Sequence, residues 1–344
     1  MLSVLIVHRN DSYITLAVES LLRGTDSTQF EIVIYDDCSD EPITLDLIKY
    51  PNVRIIQGRI QRGVGYGFDR LVEHAKYDTI VLTASDVIVK DSSWIDKVND
   101  YVSMFPNSMG CSCCIELDPE HLDPNNPKEG NIKRYGAQIV IYATNEYVSL
   151  DYPLLKDKTP YVGLFDNKWI KFKPEEEVSE IPALYGAFYT TTKTWYQYIR
   201  GFDTDPSIKL SGHCFWGGLE NWISIKSWLA GGSVHCISTL ETGHVFHKHT
   251  IEDGVVLNGH GEMFWKNKFF IAFTMLRRAE AQRLMDKVMT MLIALELKVK
   301  NASEGRRLIK YYMPYVLEIR ERNKLLFTRD INWLCKKFNI RKDC

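Results

Sequence analysis

An α/β chain built on an open, mostly parallel, Rossmann-like sheet follows from three features of residues 1–97. Short apolar runs alternate with segments of helical spacing, the runs lack inside–outside alternation, and polar or acidic residues stand where runs end. A strand covered by helices on both faces has to be apolar at consecutive positions, as these runs are. Ligands of such sheets lie outside the carboxyl ends of the strands, so the polar residues there are the first candidates for a site.

The elements follow in order. Leu2–Val7 is apolar except for Ser3 and ends at His8, Arg9, Asn10 and Asp11; Leu16, Ala17, Ser20 and Leu21 then mark a helix. Phe30–Tyr35 is the second strand and runs directly into Asp36, Asp37, Cys38, Ser39 and Asp40. Val53–Gln57 is the third, followed by a loop containing Gly58, Gly63, Gly65 and Gly67 and a helix through Leu71, Val72 and Ala75. Thr79–Thr83 is the fourth, broken at Ala84-Ser85-Asp86. The glycine loop is neither GxxxxGK[ST] nor a GxGxxG after the first strand, so a P-loop is excluded and a dinucleotide site disfavoured. Its glycines, with Arg59 and Arg62 among them, would let backbone and guanidinium groups approach a diphosphate.

Residues 116–180 are rich in Pro, Asp, Asn and Lys, with later aromatics (Tyr152, Tyr161, Phe165, Trp169, Phe172), and read as an insertion over one side of the site. Cys111, Cys113 and Cys114 match no zinc spacing and read as part of a buried apolar strand. The stretch His213–His249 is the densest in functional residue types. It holds an aromatic–glycine turn (Phe215, Trp216, Gly217, Gly218), the pair Glu220-Asn221, a helix over Trp222–Leu229 stopped by Gly231, a short strand, and His244, His247 and His249. Glu220 and Asn221 would stand at that helix's N-terminus, either as a site or as an N-cap on a core helix. After it, stretches 262–300 and 303–327 read as amphipathic helices with basic edges, packed on the preceding domain and in part at a homodimer contact.

Composition bounds the rest. With 344 residues, 45% hydrophobic and 25% charged, the chain can bury a full core of one large or two smaller domains. No apolar run reaches membrane-spanning length and Met1–Val7 has no leader pattern, so a cytoplasmic chain is expected. The eight irregularly spaced cysteines agree with that expectation. The net charge of −2 is uneven: residues 271–344 carry 17 Lys and Arg against 8 Asp and Glu, whereas the remainder carries 25 against 36. A basic C-terminal quarter suggests an anionic partner such as nucleic acid or a membrane surface; solvated helices with exposed charges are the other reading.

These residues carry a resemblance. IVIYDDCSD, the glycine-rich loop before a helix, and VLTASDVIV resemble the nucleotide-sugar-binding half of GT-A glycosyltransferases of the family 2 type, the last segment being similar to the strand that carries a DxD motif. GAFYTTTKTWYQYIRGFD, FWGGLENWISIKSWLAGG and TGHVF resemble the acceptor half of the polypeptide N-acetylgalactosaminyltransferase-like branch. The resemblance implies a GT-A catalytic domain over 1–250 (nucleotide-sugar half 1–97, variable acceptor-side insertion 98–182, acceptor and metal half 183–250) and a basic helical region over 251–344. It also implies residue roles. Asp36 and Asp37 would hold uracil and ribose, and Arg62 and Gly65 would face the nucleotide. Gly186 and Trp216 would meet the transferred sugar. Asp86 and His244 would ligate Mn²⁺ or Mg²⁺ on the diphosphate of a UDP-sugar, and Glu220 and Asn221 would be catalytic.

The sequence departs from the family pattern twice. Ala84 stands at the first DxD carboxylate, which keeps open a non-catalytic sugar-nucleotide-binding module beside an active transferase. Asn221 stands where inverting enzymes present a basic Asp, and an amide takes up no proton at neutral pH. The resemblance to the retaining branch therefore implies retention, with Glu220 as base the other outcome. For the acceptor, the basic C-terminal pairs (Arg277-Arg278, Arg306-Arg307-Lys310, Arg320-Arg322-Lys324) suggest hydroxymethylated DNA of the bacteriophage type. Protein, glycan and small-molecule hydroxyls are the alternatives.

Overall fold

The computed structural model describes residues 1–41, 43, 49–118, 122, 133–141, 164–215, 217–245, 251–252, 255–256, 261–294 and 299–340. Its first third is the parallel half of one large sheet. Strands β1 (Leu2–His8), β2 (Phe30–Asp36), β3 (Val53–Gln57) and β4 (Thr79–Ala84) alternate with helices α1 (Ile14–Leu22) and α2 (Val64–His74). In space they run β3-β2-β1-β4, all parallel. Every residue of β1 is buried because successive side chains enter opposite layers: Leu5 and Val7 meet α2 residues such as Leu71, whereas Val4 and Ile6 meet α1 residues such as Val18. The apolar runs of β1, β2 and β4 thus become strands covered on both faces, whereas β3 is the half-exposed edge.

The second half of the sheet is mixed. The short strand β5 (Val87–Val89) and α3 (Trp94–Met104) lead to β6 (Ser108–Leu117), whose Cys111, Cys113 and Cys114 are fully buried, as a core strand requires. Beyond it come β7 (Lys133–Arg134), the small two-stranded sheet of β8 (Ala137–Val140) and β9 (Asp166–Trp169), and β10 (Val178–Glu180). Strand β11 (Phe188–Thr192) inserts antiparallel between β4 and β6 and continues into α4 (Lys193–Tyr198). Helix α5 (Leu219–Leu229) precedes β12 (Ser233–Val245), a long strand rather than the short one expected. Strand β12 pairs with β6 throughout, with an irregularity between Ile237 and Glu241, and beyond that point it also pairs antiparallel with β5. A strand that changes direction in this way can serve two neighbours and aim its tip at a third element.

After a two-stranded ladder of β13 (Ile251–Glu252) and β14 (Val255–Val256), the chain is helical: α6 (Gly261–Met275), α7 (Arg278–Ala294), α8 (Val299–Tyr311), α9 (Met313–Leu326) and α10 (Ile331–Phe338). The two long helices read from the sequence are therefore four, with α10 beyond them. Pro314 accounts for one break: it lacks the N–H a helix interior needs and sits in the first turn of α9. Nor is α6 amphipathic, since most of its residues, Lys266, Asn267 and Lys268 included, are buried.

Candidate functional site

The carboxyl ends of β1, β2 and β4 form one edge. Asp36, the last residue of β2, is fully buried; its Oδ1 accepts bonds from Ser39 N (2.9 Å) and Ser39 Oγ (2.6 Å), and its Oδ2 has no partner. His8 lies in register beside it, buried, with Nδ1 also unpartnered. Burial depresses the His8 pKa against the opposing charges of Asp36 and Asp11, favouring a neutral imidazole. Two adjacent buried atoms without partners at strand ends are incomplete without a ligand or water. The sequence reading used His8 only to mark the end of a strand, and that position was the sole signal available for it.

Asp37 has a different task. Its Oδ1 accepts from Arg62 N and its Oδ2 from Gly63 N, both at 2.7 Å, so the carboxylate fixes the glycine-rich loop. Burial raises its pKa and these two backbone bonds oppose that rise. The Arg62 guanidinium donates Nη2 to Pro206 O (3.0 Å) and lies 5.1 Å from the centre of the Tyr66 ring. A Cβ at Gly65 would overlap the carbonyl oxygen of His213, so this glycine allows α2 to approach that segment. Arg62 and Gly65 are thus engaged with residues 206–213.

Asp86 and His244, far apart in sequence, come together. Asp86 precedes β5; its carbonyl accepts Val245 N (3.0 Å), and the β5–β12 pairing sets His244 opposite Val87. His244 Nε2 is 3.2 Å from Asp86 Oδ2. Burial alone would lower the imidazole pKa, but the Asp86 charge, its hydrogen bond and the Cys114 thiol push it up to about 10. The pair is therefore an imidazolium–carboxylate ion pair. One carboxylate and one imidazole suit Mn²⁺ and, less well, Mg²⁺. No third His, Cys, Asp or Glu joins them among the described residues, so diphosphate oxygens and water would complete the shell. Ala84, the departure from DxD, closes β4, and Ser85 Oγ is bonded to Asp11 Oδ2 (2.8 Å).

The opposite wall begins at Gly217 and Gly218, both with positive φ, which turn the chain into α5. Glu220 is in the first turn, and its Oε1 accepts the Tyr189 hydroxyl at 3.0 Å. Asn221 is fully buried and donates Nδ2 to Phe165 O, so it anchors the 164–166 segment. Gly186 (φ 95°) packs against the side chain of Cys114, whose thiol also faces His244; the two walls meet there. Trp216, His247 and His249 lie outside the described residues.

Helix α6 holds this wall from behind. Lys266 Nζ donates to Gly212 O (2.5 Å), Asn267 Nδ2 to Cys214 O (2.7 Å), and Lys268 Nζ to Phe165 O (2.8 Å) and to Asp166. His213 Nε2 bonds Gly217 O (2.9 Å) while its ring lies parallel to Trp222. Burial lowers the pKa of Lys266 and drives that of His213 well below the ordinary histidine value. Three consecutive residues sweep about 200° of a helix, which is why α6 is enclosed by the loop it fastens.

The parallel half of the sheet joined to its mixed half makes a GT-A fold. The comparisons agree: residues 3–113 match Glycosyl transferase family 2. Over 265 residues the chain is 23% identical to human polypeptide N-acetylgalactosaminyltransferase 14, covering 72% of this chain and 41% of that protein. It is 24% identical over 261 residues to the probable N-acetylgalactosaminyltransferase 8 of Caenorhabditis elegans (71% and 54%). The chain thus spans about two-fifths to a half of the length of these relatives. Among solved structures, GalNAc-T7 with UDP, GalNAc and Mn²⁺ superimposes with a TM-score of 0.67 at 14% identity, covering 98% of this chain and 57% of that one. S. aureus TarS 1–349 with UDP-GlcNAc gives 0.50 at 15% identity (95% and 83%). The fold is GT-A, and the resemblance is to polypeptide N-acetylgalactosaminyltransferases.

Proposed function

We propose that this chain is a metal-dependent glycosyltransferase that moves a sugar from a UDP-sugar to an acceptor hydroxyl. The observation that carries the reading is the 3.2 Å approach of His244 to Asp86 at the carboxyl edge of the sheet. The UDP, UDP-GlcNAc and Mn²⁺ held by the structural relatives support it. Asp36, with His8 beside it, would bind the nucleoside through the atoms that lack partners. Asp37 holds the glycine loop in the shape that receives the diphosphate. Asp86 and His244 would hold Mn²⁺ or Mg²⁺, which when bound supplies the positive charge that stabilises a departing diphosphate.

Asn221 takes no part in proton transfer, because its amide is buried and donates to Phe165 O. Glu220 has one oxygen engaged by Tyr189, and the other is offered to the acceptor hydroxyl, which attacks from the leaving-group face with retention. The polypeptide acceptor in the relatives' names favours a protein or glycan hydroxyl over DNA.

The test is UDP release across a panel of UDP-sugars with and without Mn²⁺, followed by NMR of the linkage formed. Release that needs Mn²⁺ and an α-linked product from an α-linked donor support the reading. A β-linked product makes Glu220 a general base, and no release from any donor leaves a binding module.

A further inference from the structure

We propose that Tyr189 is a positioning residue that sets the orientation of the Glu220 carboxylate; this rests on the reading of Glu220 as the group that receives the acceptor hydroxyl. Tyr189 belongs to β11, pinned on one side by Leu82 of β4 and on the other by Cys111 of β6. The centre of the sheet therefore dictates where the phenol stands. Its ring is buried, and its oxygen has two partners: Ala187 N–H donates to it at 3.2 Å, and it lies 3.0 Å from Glu220 Oε1. With the backbone N–H on its accepting side, the hydroxyl's single proton is directed at the carboxylate.

Burial, then the Glu220 charge, raise the Tyr189 pKa well above the phenol's ordinary value, so it stays a neutral donor. Ala187 occupies the left-handed region (φ 56°) next to Gly186, a conformation that persists only where surrounding contacts over-determine it. The turn, the phenol and the carboxylate form one unit. Phenylalanine would fill the same volume in the sheet, so the substitution removes only the hydroxyl's bonds to Ala187 N–H and Glu220. Glu220 Oε2 takes no hydrogen bond among the described residues, which leaves the carboxylate fixed through one oxygen and open through the other.

Four proteins decide it: wild type, Tyr189→Phe, Glu220→Gln and the double variant, compared by steady-state UDP release, UDP affinity and melting midpoint. We expect Tyr189→Phe to lower kcat by about 10²-fold, the scale of a small misplacement of a reacting group, with the donor KM and the UDP Kd unchanged. In the Glu220→Gln background the same change should cost nothing further. A merely structural tyrosine would weaken UDP binding along with turnover and cost the same in both backgrounds, and either result overturns the proposal. If wild type releases UDP from no sugar nucleotide, the transferase reading fails by itself. The melting midpoints of the four proteins then judge the pair: non-additive shifts uphold the coupling of Tyr189 to Glu220, and additive shifts end it.

Discussion

Metal binding should expel a proton from His244. A protonated imidazole has no lone pair to give a cation, so the ligand must first lose the proton that Asp86 holds on it. With the His244 pKa near 10, the gap to neutral pH costs roughly 4 kcal/mol at about 1.4 kcal/mol per pH unit. The apparent Mn²⁺ affinity of the UDP-bound protein should therefore be about a thousandfold below its limit at pH 7 and rise nearly tenfold per unit between pH 7 and 9. Calorimetric titrations in buffers of different ionisation enthalpy count the proton directly, and one per Mn²⁺ is expected. His244→Ala should bind weakly, with no proton release. An affinity in wild type that is flat over this range, or a proton count near zero, would refute the coupling between the ion pair and the metal site.

Three further expectations follow. Asp86→Ala and His244→Ala should each reduce UDP release by at least about 10²-fold while circular dichroism shows an intact fold, because both side chains stand at the sheet's edge; full activity in either variant removes the metal assignment. Lys268→Met removes the buried ammonium that bonds both Asp166 and Phe165 O and should lower stability by about 3 kcal/mol, read as a fall in the urea midpoint; no change there would mean that α6 does not brace the wall. Burial, against the opposing charge of Glu180 and with a smaller push from Lys337, depresses His235 from an ordinary 6.5 to about 4. Its contribution is therefore complete above about pH 6.5 and lost as pH falls through 4, worth about 3 kcal/mol, and His235→Gln should flatten that acid decline in urea midpoints between pH 7 and 4.

The first four strands were legible in the sequence to within a residue at each end; for β1, β2 and β4 the reason is that a strand buried on both faces has no freedom to be polar. Asp36 and Asp86 were legible for the complementary reason: a carboxylate directly after such a strand stands at the edge where ligands enter. The division of labour between Asp36 and Asp37 was not. Two adjacent carboxylates look alike in sequence, and only the backbone N–H groups of Arg62 and Gly63, brought back by the loop, distinguish the one that braces from the one left with an unpartnered oxygen. Lys266, Asn267 and Lys268 misled in the opposite sense. Their charge suggests a solvent face, but the carbonyls that satisfy them come from residues some fifty and a hundred positions upstream. Tyr189 gave no signal at all, since a tyrosine in a β-rich run reads as core. In each case the missing information is a long-range hydrogen bond, which periodicity does not encode.

The dependence of the Gly212–Gly217 turn on α6 has a consequence for how the protein is made. A ribosome delivers residues in order, so the strands of the nucleotide half can pair while the chain is still growing. The carbonyls of Gly212 and Cys214 gain their donors only after Lys266 and Asn267 have emerged, some fifty residues later. Until then those carbonyls are left to water. The nascent chain would therefore form its parallel sheet edge first and the entry to α5 last.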